Sequence, residues 1–166
     1  MYLLDTPVIG ELRKARTGGC DEGVMRWASG IARQNLYMSA LTLLELENGV
    51  ARAERRDRAQ AAPLRTWLDE QVMSAFDGRI LPVDAGVVKK RATLADVKNE
   101  RDALLAATAQ VHGLVLVTRN PNPFKALRTK VFTPWGYTPE AEDAEDADWQ
   151  QVARSGSQWL KSLFLR

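Results

Sequence analysis

Apolar residues recur along this chain in two rhythms. Short, nearly unbroken runs read as buried strands: Tyr2-Leu3-Leu4, Leu36-Tyr37-Met38 within residues 35–40, and Leu114-Val115-Leu116-Val117. Residues 79–84 ("RILPVD") predict a strand or an extended link, and "KVFTPW" (130–135) a weaker strand. Between these lie segments at helical spacing. A helix is expected from Val8 to Arg13, and "RTGGCDEG" (16–23) predicts a loop. Val24, Trp27 and Ile31 then mark a helix over 23–32. Ser39 precedes a long helix over 40–57, with Leu41, Leu44 and Val50 expected on its buried face. A further helix is expected over 61–76, opened by Pro63, and another from about Ala85 to Asp96. The segment 99–113 predicts a helix ending at Gly113. Strands alternating with helices of this length predict an α/β layered domain with a mostly parallel sheet.

The pattern changes after Tyr137. "EAEDAEDAD" (140–148) holds six acids and no base, and the residues beyond it carry Trp149, Val152, Trp159, Leu160 and Leu163. Two units are therefore expected: a folded body over 1–137, and an acidic linker with an amphipathic C-terminal helix over 138–166. Residues 1–139 carry 20 Lys and Arg against 15 Asp and Glu. A mildly basic body permits nucleic-acid binding without demanding it. No run approaches the roughly 18 apolar residues of a membrane span, and no basic region precedes the first apolar run as in a signal peptide. The single cysteine, Cys20, cannot form an internal disulfide and fits a reducing, cytoplasmic setting.

Three acids stand where chemistry is possible. Asp5 ends the first strand; a carboxylate there needs a cation, a ligand or a helix N-terminus to cap. Glu45 lies among leucines in "LTLLELENGV", on or near the buried face. Asp102 opens "DALLAATAQVHG", a position that also suits an acid opposite a helix dipole. Together they come from a strand end and two helices far apart in sequence, as hard-cation oxygen sites are usually assembled. The only histidine, His112, sits in the last turn of its helix, where the dipole explains it. With no second histidine, no cysteine pair and no glycine-rich phosphate loop, zinc, Cys/His nucleophile and P-loop chemistries lack their residues.

The stretches "YLLDTPVIGELRK", "LYMSALTLLELENGV", "RDALLAATAQVHGLVLVTRNPNPF" and "VFTPW", in this order and spacing, resemble the PIN-domain ribonucleases of the VapC/FitB-like toxin family. That resemblance implies a three-layer α/β/α domain with a mostly parallel sheet of four or five strands. It also implies a toxin of a toxin–antitoxin pair serving operon or plasmid stability, cleaving RNA with Mg²⁺ or Mn²⁺ held by clustered carboxylates. Asp5, Glu45 and Asp102 fall on the family's first three acid positions, as catalytic and metal-binding residues, with Thr6, Thr118, Asn120 and Asn122 in support. The implied partners are RNA, a second copy of the chain and a small DNA-binding antitoxin. Arg119, Lys125 and Arg128, with Lys130, flank the last motif and suit a phosphate backbone.

Two positions depart from the family pattern. The usual Thr-Arg-Asn, two variable residues, Asp, Phe reads here Thr118-Arg119-Asn120-Pro121-Asn122-Pro123-Phe124, so the fourth acid position is Pro123. The usual Asp-Thr-Asn reads Asp5-Thr6-Pro7. One carboxylate about 4 Å from a cation contributes roughly 4 kcal/mol per unit charge pair at an effective dielectric near 20, before desolvation. Three functions therefore stand: a metal-dependent endoribonuclease working with three acids, a catalytically impaired PIN-fold module acting through dimerisation and an antitoxin-like partner, or a PIN-fold nuclease acting on DNA or a structured RNA outside any toxin system.

Overall fold

The structure, a computed structural model, describes residues 1–94 and 99–138. The expected linker and C-terminal helix over 138–166 lie outside the described residues except for residue 138. The helix expected from about Ala85 to Asp96 ends at Ala92, with Thr93 as its C-cap.

Five strands form one parallel sheet in the order β3-β2-β1-β4-β5: β1 Tyr2–Leu4, β2 Leu36–Ser39, β3 Ile80–Leu81, β4 Val115–Val117 and β5 Val131–Phe132. The central strand explains the layering. Successive side chains of a strand face opposite sides, and Leu3 and Leu4 enter different cores. Leu4 packs with Val8, Ile9, Leu12, Val24, Trp27, Met38 and Leu68, while Leu3 packs with Ala103, Leu105, Ala106, Leu116 and Phe124. Helices α1 Thr6–Arg13, α2 Glu22–Ser29 and α3 Ala40–Arg56 supply the first side. Helices α7 Glu100–Val111 and α8 Asn122–Ala126 supply the second. The α/β, three-layer expectation is met.

The local signals for helix ends act as read. Ser39 caps α3 by accepting from the Leu41 amide at 3.2 Å. Gly113, at φ 64°, closes α7 in the left-handed region that a side chain would strain. The four buried alanines of α7, at 103, 106, 107 and 109, let that helix lie close on the sheet.

Two expectations need correction. The stripe of Leu41, Leu44 and Val50 is not the buried face of α3: Leu44 is 55% exposed, whereas Thr42 and Val50 are buried and Leu43 and Leu46 pack partly on the core. Apolar residues at 41, 43, 44 and 46 surround this turn, so periodicity could not choose among them; the Ser39 cap and the docking of β2 chose. The helix expected to open at Pro63 begins earlier, as α4 Arg58–Thr66, because the Asp57 carboxylate accepts from the Ala59 and Gln60 amides at 3.0 and 3.1 Å. Pro63 lies inside it. A wider π-turn at Trp67–Val72 then leads into α5 Met73–Ala75, burying Trp67, Leu68 and Val72. Helix α6 Ala85–Ala92 packs against α7.

One buried charge braces α1. Glu11 accepts from the Lys14 ammonium at 2.8 Å and from the Asp21 amide at 3.0 Å, tying α1 to the start of α2. Burial pushes its pKa up, but the Lys14 hydrogen bond and charge, the Asp21 amide and the Arg119 charge outweigh it and hold the pKa below the usual 4.5.

Candidate active site

Register places the site. Leu4 of β1 stands opposite both Met38 of β2 and Val117 of β4. The next residue on each strand is therefore aligned at the carboxyl edge of the sheet: Asp5, Ser39 and Thr118. Such an edge is where open α/β sheets bind ligands. Asp5 is 3% exposed and caps α1, its Oδ1 accepting from the Thr6 amide at 2.8 Å. Pro7 falls in the first turn of α1, where its missing N–H costs no helical bond. The Thr118 hydroxyl donates to Asp5 Oδ2 at 2.7 Å and accepts from the Asn120 amide at 3.3 Å. Asp5 is thus gripped from both sides of its carboxylate.

Helix α3 leaves the same edge from β2 and carries Glu45 to the rim, where its side chain is 39% exposed. It hangs over the rim rather than in the core. The Thr6 hydroxyl donates to Glu45 Oε2. Helix α7 begins at this edge and runs away from it to the start of β4, so its first turn brings Asp102 to the site, held by the Asn99 cap that accepts from the Arg101 amide at 3.1 Å.

The residue that joins these acids was not singled out in the sequence. Arg101 Nη2 donates to Asp5 Oδ1 and to Glu45 Oε2, the latter at 2.7 Å, and Nη1 donates to Asp102 Oδ1 at 2.9 Å. Nη2 also lies 3.2 Å from the Thr6 hydroxyl, and Nε is buried without a partner. Burial opposes the charge of Arg101, but Asp5, Asp102 and Glu45 together raise its pKa above that of a free arginine. A signal did exist. A cation in the first turn of a helix opposes the dipole, so an arginine between Glu100 and Asp102 implies acidic partners elsewhere.

Two clefts open on this cluster. One, of about 490 Å³, is lined by Asp5, Thr6, Pro7, Glu45, Asn48, Arg52 and Arg101. Glu45, Asn48 and Arg52 recur at helical spacing, so α3 turns one polar face to it. The other, of about 310 Å³, includes Asp5, Pro7, Arg101, Asp102, Thr118, Arg119, Asn120 and Pro123. Both prolines that break the family pattern therefore line the site. Arg119 lies over the Trp135 ring at 5.4 Å, and Asn120 is exposed at the mouth. Asn122 opens α8; Lys125 and Arg128 lie beyond it on the exposed surface, outside the lining of these two clefts. Cys20 lies elsewhere, packed against the first core; burial first, then the Glu11 and Asp21 charges, push its thiol up to about 11.

The donors are all hard oxygens, the chemistry that Mg²⁺ or Mn²⁺ requires. Their arrangement is set by a guanidinium: among the described residues no three His, Cys, Asp or Glu side chains close on one point as ion ligands do. By donor type the residues fit the metal, and Arg101 stands between them.

The PIN domain family matches residues 2–130 of this chain. The VapC ribonuclease Y4jK of Sinorhizobium fredii is 34% identical over 142 residues, covering 81% of this chain and 98% of its own. Toxin FitB of Neisseria gonorrhoeae is 32% identical, covering 81% and 99%. The crystal structure of FitAcB from Neisseria gonorrhoeae superposes with a TM-score of 0.73 at 32% identity, covering 81% of this chain and 99% of that one.

Proposed function

This chain belongs to the PIN-domain family, and we propose that within it the chain is the toxin of a toxin–antitoxin pair, an Mg²⁺- or Mn²⁺-dependent endoribonuclease. The observation that carries the reading is the convergence of Asp5, Glu45 and Asp102, from β1, α3 and α7, on one guanidinium at the carboxyl edge of the sheet. Relatives named as a VapC ribonuclease and a toxin, matched over nearly their whole length, support the same activity.

In this reading Asp5, Glu45 and Asp102 hold the divalent cation. When bound, the cation supplies a Lewis acid for the phosphodiester and lowers the pKa of an attacking water. The chain's own groups position these ligands. Thr118 and the Thr6 amide fix the two oxygens of Asp5, and the Thr6 hydroxyl steadies Glu45. The first turn of α7 adds the positive end of its dipole beside the phosphate. Asn120 and Asn122 offer neutral oxygens where Pro123 lacks a carboxylate. Arg119, Lys125 and Arg128 track the RNA backbone from the rim. The proposed partners are an antitoxin and a second copy of the chain, in a cytoplasmic setting. Residues 1–137 form the catalytic unit, with 138–166 a separate appendage. Among the described residues no helix is long and apolar enough to cross a membrane.

The test is an RNA panel assayed with Mn²⁺ for the parent and Asp5→Asn, beside growth on induction without antitoxin. Cleavage and growth arrest by the parent, both abolished in Asp5→Asn, are expected. Equal cleavage by the two proteins removes the reading. The second reading, an impaired module, has a specific observation behind it: Pro123 lines the cleft beside Asp5 and Asp102. It requires instead that Pro7→Asn with Pro123→Asp gains a cleavage the parent lacks.

A further inference from the structure

Two arginines among the described residues meet a carboxylate as a fork. Arg91 reaches Glu100 through Nε and Nη2 at 2.9 and 2.7 Å, and Arg65 reaches Glu54 through the same two nitrogens at 3.0 and 3.3 Å. Two parallel bonds to one planar carboxylate are the strong, specific arrangement for this side chain.

Arg101 has no such match. Its Nη2 carries two hydrogens and faces three oxygens, those of Asp5, Glu45 and Thr6. Its Nη1 reaches Asp102, and its Nε–H is buried with no partner. No carboxylate receives two of its nitrogens. The side chain is therefore held by hydrogen bonds spread over three carboxylates, none of them a fork, with one donor left unpaired. A compact dication satisfies the same charges without leaving a donor buried and unpaired.

From this mismatch we infer that Arg101 is a built-in counter-cation that occupies the acidic centre and competes with the divalent metal for Asp5, Glu45 and Asp102. Metal binding releases the guanidinium towards the cleft it already lines with Asn48 and Arg52. The device has two consequences. Without metal, Arg101 offsets one of the three negative charges and holds the acids together at the edge of the sheet. With metal, affinity is lowered by the work of displacing Arg101, so the protein responds to metal over a higher concentration range than its ligands alone would set. The inference rests on the reading that these acids hold a divalent cation.

The experiment titrates MnCl₂ calorimetrically into the full-length parent, Arg101→Met, Asp5→Asn and Arg58→Met. Arg58, exposed at the start of α4, controls for the loss of one positive charge. Thermal unfolding is followed for each with and without Mn²⁺. Arg101→Met is expected to bind Mn²⁺ about tenfold tighter or more, the scale of removing one close charge from the site. Without metal it should melt below the parent, and its gain in melting temperature on adding Mn²⁺ should be the larger. Arg58→Met should match the parent, and Asp5→Asn should lose binding. A second measurement needs only folded, charge-conserved protein. The Arg101 Nε–H resonance, assigned by its absence from Arg101→Lys, should move saturably on titration with Mg²⁺.

Mn²⁺ affinity of Arg101→Met within twofold of the parent overturns the inference and leaves the metal site standing. A resonance unmoved at saturating Mg²⁺ does the same. Absence of saturable binding in every variant overturns the inference together with the metal-dependent reading.

Discussion

Thr118→Val isolates one bond on which the geometry of the site depends. Valine replaces the hydroxyl with a methyl of nearly the same size, at a position only 1% exposed, so packing changes little. The backbone bond from the Thr118 amide to the Phe132 carbonyl, 3.0 Å, is untouched. The substitution removes the hydroxyl bond to Asp5 Oδ2 at 2.7 Å, and the weaker acceptance from the Asn120 amide at 3.3 Å. A hydrogen bond to a charged group contributes about 1.5–3 kcal/mol, and a buried carboxylate oxygen left unpaired lies at the upper end. The expected loss is therefore about 2–3 kcal/mol. In a chain of 166 residues each kcal/mol corresponds to roughly 2–4 °C, so the melting temperature should fall by about 4–12 °C. Urea unfolding followed by circular dichroism measures the free energy directly. Thr118→Ser keeps the hydroxyl and gives up one methyl, so it should cost about 1 kcal/mol. The double variant with Asp5→Asn supplies the coupling: valine should cost clearly less where the carboxylate is absent. If Thr118→Val lies within about 0.5 kcal/mol of the parent, or costs the same in both backgrounds, the hydroxyl does not brace Asp5 and the account of the site's rigidity is wrong.

Two further substitutions probe the frame around the site. Gly23→Ala places a Cβ 2.5 Å from the Pro134 carbonyl oxygen and 2.6 Å from the Tyr137 amide, both backbone atoms, so α2 must lift from the 134–137 turn; a loss of about 2–3 kcal/mol by urea unfolding is expected, and a neutral effect contradicts this close approach. Glu11→Gln keeps an oxygen for the Asp21 amide but drops the charge facing Lys14, and should cost about 1–2 kcal/mol at pH 7. Because the folded pKa of Glu11 is lowered, its contribution is full above the unfolded value of 4.5 and is lost as pH falls through the folded value. The gap between parent and variant should therefore close on acidification; a gap that widens towards low pH refutes the assignment.

Much of this protein is decided by short-range chemistry that a sequence displays. Three of the strands are legible because apolar runs bounded by Asp5, Ser39 and Thr118 have no other way to be satisfied than a buried sheet. The caps at Ser39 and Gly113 act within two or three residues of themselves. Asp5 and Glu45 were legible as candidates because a carboxylate beside apolar residues needs a partner, and the resemblance to PIN-domain ribonucleases joined Asp102 to them. Tertiary structure decided the features that depend on distant segments meeting. The buried face of α3 was set by how β2 delivers the helix, since apolar residues surround that turn and Leu44 could as well point to water as to the core. The start of α4 passed from Pro63 to Asp57 because a capping carboxylate outweighs an N1 proline that the helix can absorb. Gly23 stood where the expected loop over 16–23 meets the helix over 23–32, and only the approach of the 134–137 turn gives its missing side chain a purpose. Arg101 shows the division most plainly. Its place in a helix's first turn is written in the sequence, but Asp5 and Glu45 lie 96 and 56 residues away along the chain. Electrostatic partnership is a property of distance in space, and only parallel pairing of β1 with β2 and β4 brings those residues to one edge.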